Sequence, residues 1–140
     1  MTPPLHATAV ARAGPTGWNG VLLRGPSGAG KSDLALRLID AGWRLVGDDY
    51  VHVFASGEGL YACPPATLAG RIEARSIGIL DVAWRPSVRI VLLVDCRQTT
   101  PDRMPEPDWE TLAGVRVPRL SLDIRPASAT RTLGFAIDRL

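Results

Sequence analysis

The stretch that decides the fold is a glycine-rich segment, Gly25-Pro26-Ser27-Gly28-Ala29-Gly30-Lys31-Ser32. It matches every fixed position of G-x-x-x-x-G-K-[ST], the pattern of a phosphate-binding loop. Glycines let the backbone bend so that successive amide hydrogens point at phosphate oxygens. In such a loop Lys31 reaches the β- and γ-phosphates of a nucleotide, and the Ser32 hydroxyl coordinates Mg²⁺. The alternative interpretation is a glycine-rich turn that binds nothing.

The residues on either side of this segment favour the loop. Gly20 to Arg24 is a short apolar run bounded by turn residues, which predicts a buried strand. Asp33 to Ala41 carries apolar residues at helical spacing, and Gly42 is placed to end that helix. The free amides and the positive dipole end of the helix would face the phosphates. The motif alone leaves open whether phosphate is transferred, hydrolysed or only sensed.

The rest of the chain predicts an α/β domain in which strands outnumber helices, so that the sheet mixes parallel and antiparallel neighbours. The pattern predicts further strands at 5–12, 43–46, 50–54, 71–75, 89–94, 115–117 and 120–124, turns at 14–19 and 56–59, a long loop at 98–108 and a terminal helix at 128–140. No repeat or domain boundary is visible. We therefore expect one domain over residues 1–140, with a loose end at Met1 to Pro4.

Composition restricts the partners. Lys plus Arg is 16 and Asp plus Glu is 14, and this balance argues against broad nucleic-acid binding. Lys31 is the only lysine. The two cysteines form no Cys-x-x-Cys pair, which predicts free thiols in a reducing compartment and no zinc site. Without a signal peptide or a run of about 18 apolar residues, the expectation is a soluble cytoplasmic protein with no membrane segment.

Two adjacent carboxylates follow the strand predicted at 43–46. Asp48 and Asp49 would lie at a strand end beside the phosphate loop, where a P-loop enzyme holds Mg²⁺ or activates a nucleophile. Adjacent residues of an extended chain point in different directions, so one could face the metal while the other accepts a proton. The alternative is a polar turn that ends the strand.

Two further positions have open interpretations. If 71–75 is extended, Glu73 shares a face with Arg71 and Arg75, and a solvated ion-pair face is the commoner reason for such a pattern. His6 on a strand is more often a structural or surface histidine than a catalyst.

Four features occur in order along the chain: His6, the loop 25–32, Gly47 to Val51, and Arg71 to Val82. This order resembles the catalytic domain of the HPr kinase/phosphorylase family. The last segment is the more specific sign, because it is similar to the family's Glu-x-Arg-Gly-x-Gly-Ile stretch. The resemblance covers about residues 5–85 well and 115–124 loosely.

The resemblance implies an ATP- and Mg²⁺-dependent kinase that phosphorylates a serine of HPr, the small phosphocarrier of the sugar phosphotransferase system. It implies that the same site removes this phosphate with inorganic phosphate, releasing pyrophosphate. It also implies a fold related to phosphoenolpyruvate carboxykinase and ring-like hexamers. The site residues carried over are the ATP loop 25–32 with Lys31 as catalytic lysine, Ser32 and Glu73 as Mg²⁺ contacts, Asp49 as acid/base with Asp48 beside it, and His6 at the start of the domain.

The sequence departs from the family pattern at several positions. It resembles a short form without a separate N-terminal domain. Tyr50 stands where the family usually has Arg, and Ser76 replaces a signature Gly. The segment after Val82 is shortened where a family catalytic Arg belongs, and either Arg85 or Arg89 could substitute.

Two other functions stay open beside the serine kinase. A P-loop kinase for a small molecule would need an Arg-rich lid, and the loop 98–108 carries only Arg103. A nucleotide-sensing module that binds ATP without transfer is motivated by the shortened segment after Val82.

Overall fold

The computed structural model describes residues 3–97 and 102–140. Residues 1–2 of the predicted loose end and residues 98–101 of the predicted loop lie outside the described residues. Pro3 and Pro4 precede the first strand without regular structure, and residues 102–107 also belong to no helix or strand.

The described chain forms ten strands and two helices, with one short 3-10 turn at Ala66–Leu68. The strands are β1 Leu5–Gly14, β2 Gly17–Arg24, β3 Arg44–Gly47, β4 Tyr50–Ser56, β5 Gly59–Cys63, β6 Arg71–Ala74, β7 Gly78–Asp81, β8 Val88–Arg97, β9 Asp108–Leu112 and β10 Val115–Asp123; the helices are α1 Lys31–Asp40 and α2 Ala129–Asp138.

Eight of the strands form one mixed sheet. Strand β2 pairs in parallel with β8, and β8 with β10, while β1 and β9 run antiparallel to their neighbours. The hairpin of β4 and β5 links β1, at Leu5 and His6, to the beginning of β8. Strands β6 and β7 form a separate two-stranded sheet. The α/β class with a mixed sheet is confirmed.

The sheet brings the candidate site residues to one edge. Because β2 and β3 both run antiparallel to β1, they point in the same direction, as do β8 and β10. Their carboxyl ends are Arg24, Gly47, Arg97 and Asp123. The glycine-rich loop leaves β2 at this edge, and Asp48 and Asp49 leave β3 there. Open α/β sheets commonly bind ligands at such an edge.

Apolar side chains cover both faces of the sheet. On one face, α1 and α2 insert Leu34, Leu38 and Leu133, which are fully buried. Each such leucine contributes about 2 kcal/mol by burial. On the other face, a second cluster includes Leu22 and Leu93. The glycine-rich loop and α1 are therefore supported by a well-packed core.

The residues predicted as strands at 115–117 and 120–124 are extended, but they form one strand, β10, and not two. Pro118 lies within this strand beside β9, and pairing with β8 begins only at Arg119. A proline is tolerated where a strand has a neighbour on one side only. The predicted turn at 14–19 is also shorter, since β2 begins at Gly17.

Candidate active site

The glycine-rich segment forms a loop between β2 and α1. Gly28 and Gly30 have φ of 85° and 98°, in the left-handed region where a side chain would be strained. The Ala29 N–H donates to the Pro26 carbonyl at 3.1 Å, and the first helical bond runs from Leu34 N–H to the Gly30 carbonyl at 2.9 Å. The predicted strand–loop–helix unit is therefore present. The amides at the start of α1 have no helical acceptors, which is what makes such a loop an anion site.

The side chain of Lys31 folds back onto this loop. Lys31 is buried, with 6% of its surface exposed. Its ammonium donates to the Gly25 carbonyl and, at 3.1 Å, to the Pro26 carbonyl. These bonds hold the ammonium of the chain's only lysine against the backbone of the loop, where a residue that contacts phosphate is expected.

Asp48 lies at the centre of a hydrogen-bond cluster. Its Oδ1 accepts from the Ser32 hydroxyl at 2.7 Å and from the Thr8 hydroxyl at 3.2 Å. Its Oδ2 accepts a long bond from the Glu73 N–H at 3.4 Å. Asp48 is only 9% exposed. Four chain segments, β1, α1, the end of β3 and β6, therefore meet at this one carboxylate.

Asp49 adopts a different backbone conformation and faces outward. Its φ is 69°, and the Tyr50 N–H donates to the Asp48 carbonyl at 2.8 Å, which closes a three-residue turn about Asp49. Such turns with positive φ are rare and strained, and strain of this kind concentrates at functional sites. Thr8 supports the turn, because its hydroxyl accepts the Asp49 N–H at 3.2 Å.

His6 is the partner of the Asp49 side chain. His6 Nε2 lies 2.9 Å from Asp49 Oδ1, and the two side chains are 38% and 56% exposed. The Tyr50 ring lies 5.2 Å from the His6 ring, centroid to centroid. The structure thus separates the two acids: Asp48 points inward to Ser32, and Asp49 points outward beside His6.

Glu73 belongs to the hairpin of β6 and β7. Ile72 and Ala74 point into the core, whereas Glu73 is exposed. The structure brings the Glu73 backbone to Asp48, and its side chain stands on the outer surface of the hairpin. Ser76 has φ of 70° in this hairpin. A left-handed conformation favours glycine, which accounts physically for a glycine at this position of the family pattern.

Neither candidate arginine after Val82 lies at the phosphate loop. The Arg85 guanidinium lies 4.4 Å from the ring centroid of Trp18, and its Nε is buried without a hydrogen-bond partner. Trp18 is six residues before Arg24 on β2, about 20 Å away along the strand. Arg89 pairs with Tyr61 near the beginning of β8, also far from the loop edge. The structure places both at the opposite end of the sheet.

A network of charged side chains lies directly beneath the loop. Arg24 donates to Asp95 at 2.9 and 3.2 Å and to Glu110 at 2.5 and 2.8 Å. Hydrogen bonding to Glu110 and then to Asp95 raises the pKa of Arg24 above its ordinary value. The bond from Arg24 is also the largest influence on Glu110 and lowers the pKa of Glu110 to about 2. Nearby, burial raises the pKa of the Cys96 thiol to about 12.

The oxygen atoms near the loop suit a magnesium ion. Carboxylate and hydroxyl oxygens, with water and phosphate oxygens, are the ligands Mg²⁺ prefers. Ser32 and Asp48 offer such oxygens within 2.7 Å of each other at the loop. Within residues 3–97 and 102–140, no three His, Cys, Asp or Glu side chains converge as a complete metal cage. An ion that binds partly through the phosphates of its nucleotide does not need such a cage.

Sequence reasoning missed two residues of this site. Thr8 joins Asp48 to Asp49, and its signal was a polar residue inside the buried part of β1. Arg24 was read only as the end of a strand. An arginine at the end of a buried strand requires acidic partners, but the sequence does not show that they lie 71 and 86 residues away.

The fold and the loop define an α/β P-loop protein with a phosphate-binding loop and an acidic cluster at its mouth. Residues 16–136 match the family described as the HPr Serine kinase C-terminal domain, and the chain therefore belongs to this family. The prediction of the family from its motifs is confirmed.

Individual relatives agree with this assignment. The chain is 39% identical over 132 residues to the HPr kinase/phosphorylase of Limosilactobacillus reuteri strain DSM 20016, covering 85% of this chain and 40% of the relative. It is 38% identical over 120 residues to the HPr kinase/phosphorylase of Thermoanaerobacter sp. strain X514, covering 76% and 39%. The chain thus spans about two fifths of the length of these relatives.

A solved structure gives the same result for the fold. The Hpr(Ser) kinase/phosphatase from Coxiella burnetii superposes with a TM-score of 0.77 at 25% identity, covering 99% of this chain and 94% of that one. Among the described residues, neither helix has the length and apolar character needed to cross a membrane.

Proposed function

We propose that this chain is an ATP-dependent protein kinase that transfers the γ-phosphoryl group to a serine of an HPr-type phosphocarrier protein. The observation that carries the proposal is the separation of the two acids at the loop. Asp48 is held against Ser32 at 2.7 Å, while Asp49 is presented to solvent by a strained turn. A protein that only binds nucleotide has no chemical use for a second, outward carboxylate, whereas a transferase uses one to accept the proton of its acceptor hydroxyl.

The residues divide the work of transfer. The loop amides and Lys31 would bind the β- and γ-phosphates, as in other P-loop proteins. Ser32 and Asp48, with Glu73 as a further candidate, would hold Mg²⁺, which neutralises charge on the phosphates. Phosphoryl transfer depends mainly on positioning and electrostatics, so the preformed Ser32–Asp48 contact matters more than any single strong base.

Asp49 would accept the proton of the substrate serine. As the serine Oγ forms its bond to the γ-phosphorus, the bond to the bridging oxygen breaks, ADP leaves, and the hydroxyl proton passes to Asp49. His6 holds Oδ1 of Asp49 at 2.9 Å, and within the described part of the chain Oδ2 has no hydrogen-bond partner. His6 is therefore a positioning residue for Asp49, and Oδ2 is the atom offered to the substrate.

The test is a transfer assay with defined components. The purified chain is mixed with Mg-ATP and a bacterial HPr, and the HPr is weighed by mass spectrometry. We expect a gain of one phosphoryl group on serine, lost with Lys31→Ala and strongly slowed with Asp49→Asn. No gain by HPr, with ATP binding intact, would refute the proposal.

A second candidate is a nucleotide-binding module that does not transfer phosphate. The position of Arg85 on Trp18 favours it, because the charge that the family pattern expects after Val82 is then missing from the loop edge. The two candidates differ in turnover: the module would bind Mg-ATP and leave every carrier unmodified.

The position of Arg85 also bears on the reverse reaction. That reaction is tested by adding inorganic phosphate to serine-phosphorylated HPr and assaying pyrophosphate.

Two assembly expectations also remain proposals. We propose that residues 1–140 fold as one domain and that copies associate, as the resemblance implies, into hexamers. One cooperative unfolding transition and a sixfold mass by light scattering are the expected results. Two separated transitions, or a monomeric mass, would refute the respective expectation.

A further inference from the structure

The charged network beneath the phosphate loop is larger than a structural ion pair requires. Arg24 uses its guanidinium in two bidentate contacts, to Asp95 on β8 and to Glu110 on β9. Glu110 also accepts from Arg119 at 2.9 Å, and Arg119 donates to Asp108 at 2.6 and 2.9 Å. Arg24, Asp95 and Glu110 are 27%, 17% and 25% exposed, so water screens these charges only in part.

The position of Arg24 connects this network to the loop. Arg24 is the last residue of β2, and the next residue begins the loop. The Gly25 backbone packs so closely on the end of β8 that an added Cβ would lie 2.9 Å from the Cys96 carbonyl oxygen. The Gly25 carbonyl in turn accepts from the Lys31 ammonium. A displacement of Arg24 would therefore move both the first turn of the loop and its lysine.

We propose that Arg24, clamped by Asp95 and Glu110, is a positioning residue that sets the geometry of the phosphate loop for its nucleotide. The guanidinium is suited to this role because its planar fork fixes two carboxylates in direction as well as distance. A lysine would keep the charge but lose the paired bonds. Glu110 acts through Arg24, since its contacts are with Arg24 and Arg119 and not with the loop.

The experiment measures nucleotide affinity rather than stability alone. The dissociation constant of Mg-ATP is determined by calorimetry on the full chain for wild type, Arg24→Lys and Glu110→Gln, at a temperature where circular dichroism shows each to be folded. Arg12→Lys is the matched control. Arg12 is 24% exposed and also bonded to an acid, Asp138, but on α2 and away from the loop.

We expect Arg24→Lys to weaken Mg-ATP binding about tenfold, a typical size for a network residue that does not touch the ligand. Arg12→Lys should bind as wild type even if its melting temperature falls. Glu110→Gln should weaken binding less, and adding it to Arg24→Lys should change little, because residues in one network are not additive. If Arg24→Lys does not fold, Glu110→Gln is used for the test, because Glu110 lies on β9 and not on the strand that leads into the loop.

Two results would overturn the inference: binding within twofold of wild type for a folded Arg24→Lys or, where that variant does not fold, for Glu110→Gln, or equal weakening by Arg12→Lys. The inference rests on the proposed function only through nucleotide binding. A wild type that binds Mg-ATP but leaves HPr unmodified would refute the kinase and still allow Arg24 to be tested. A wild type that binds no nucleotide would refute both.

Discussion

Replacement of Thr8 by valine is the most direct test of how the two acids are held apart. The Thr8 side chain is fully buried, and valine has nearly its shape but no hydroxyl, so the change removes hydrogen bonds and little volume. Two hydrogen bonds are lost, the one donated to Asp48 and the one accepted from Asp49 N–H, both at 3.2 Å. The strained turn about Asp49 loses its support, and the Asp48 carboxylate loses a donor.

The magnitude follows from these contacts. A bond to a charged group contributes about 1.5–3 kcal/mol, and the length of 3.2 Å favours the lower end. The bond from the Asp49 N–H is only partly buried, so water can replace part of it, and this loss adds about 0.5 kcal/mol. A total of about 2 kcal/mol corresponds to a fall of about 7 °C in melting temperature for a chain of 140 residues.

Thermal unfolding and the HPr transfer assay measure both consequences. Because a 1 Å misplacement of a catalytic group can reduce the rate about a hundredfold, Thr8→Val should slow transfer much more than its stability loss alone explains. Thr8→Ser is the control: it keeps the hydroxyl, loses one methyl group, and should transfer at nearly the wild-type rate. Equal rates for the valine and serine variants would show that Thr8 does not position Asp49.

Three further predictions use other parts of the site. Asp48→Asn should lower the affinity for Mg²⁺, measured in the presence of nucleotide, about 10- to 100-fold, the usual effect of altering a metal's protein partners. Asp49→Asn should leave the affinity for Mg-ATP unchanged. The lowered pKa of Glu110 means that its contribution to stability is complete above its ordinary pKa of 4.5 and is lost as the pH falls toward about 2, so Glu110→Gln should flatten the acid side of a urea-unfolding profile. Cys96, whose thiol pKa is raised to about 12 by burial, should resist a thiol reagent until the chain is unfolded, while the half-buried Cys63 reacts first; early labelling of Cys96 in a Cys63→Ser variant would contradict this.

Sequence pattern correctly predicted the parts of the fold that depend on residues close together in the chain. The strand, loop and helix around residues 20–41 follow from apolar spacing and from glycine, which acts within a few residues. The same reasoning divided β10 into two strands, because the continuity of the chain through Pro118 depends on where a neighbouring strand begins to pair. It did not identify β5, β7 or β9, which are five residues or shorter. Short strands are fixed by their pairing partners, and these are distant in sequence.

The site shows the same limit at the level of single residues. Sequence reasoning placed a pair of acids at a strand end but left their roles open. The structure gives them different directions through a turn at positive φ, and that turn is supported by Thr8, 41 residues earlier. A contact between residues so far apart in the chain leaves no local sequence pattern, whereas the glycine-rich loop is specified by eight consecutive residues.

The charge around the loop bears on how nucleotide must bind. Two acids, Asp48 and Asp49, lie at the loop, and the Lys31 ammonium is already bonded to the Gly25 and Pro26 carbonyls. A bare triphosphate brought to this edge meets repulsion from the acids, and the helix amides offset it only in part. We therefore expect a divalent cation to enter with the nucleotide. Affinity for ATP should then be far weaker without Mg²⁺ than with it. Replacing Asp48 by asparagine should reduce this difference in two ways: the affinity for Mg-ATP falls because the cation is bound less tightly, and the affinity for ATP alone rises because a negative charge is removed.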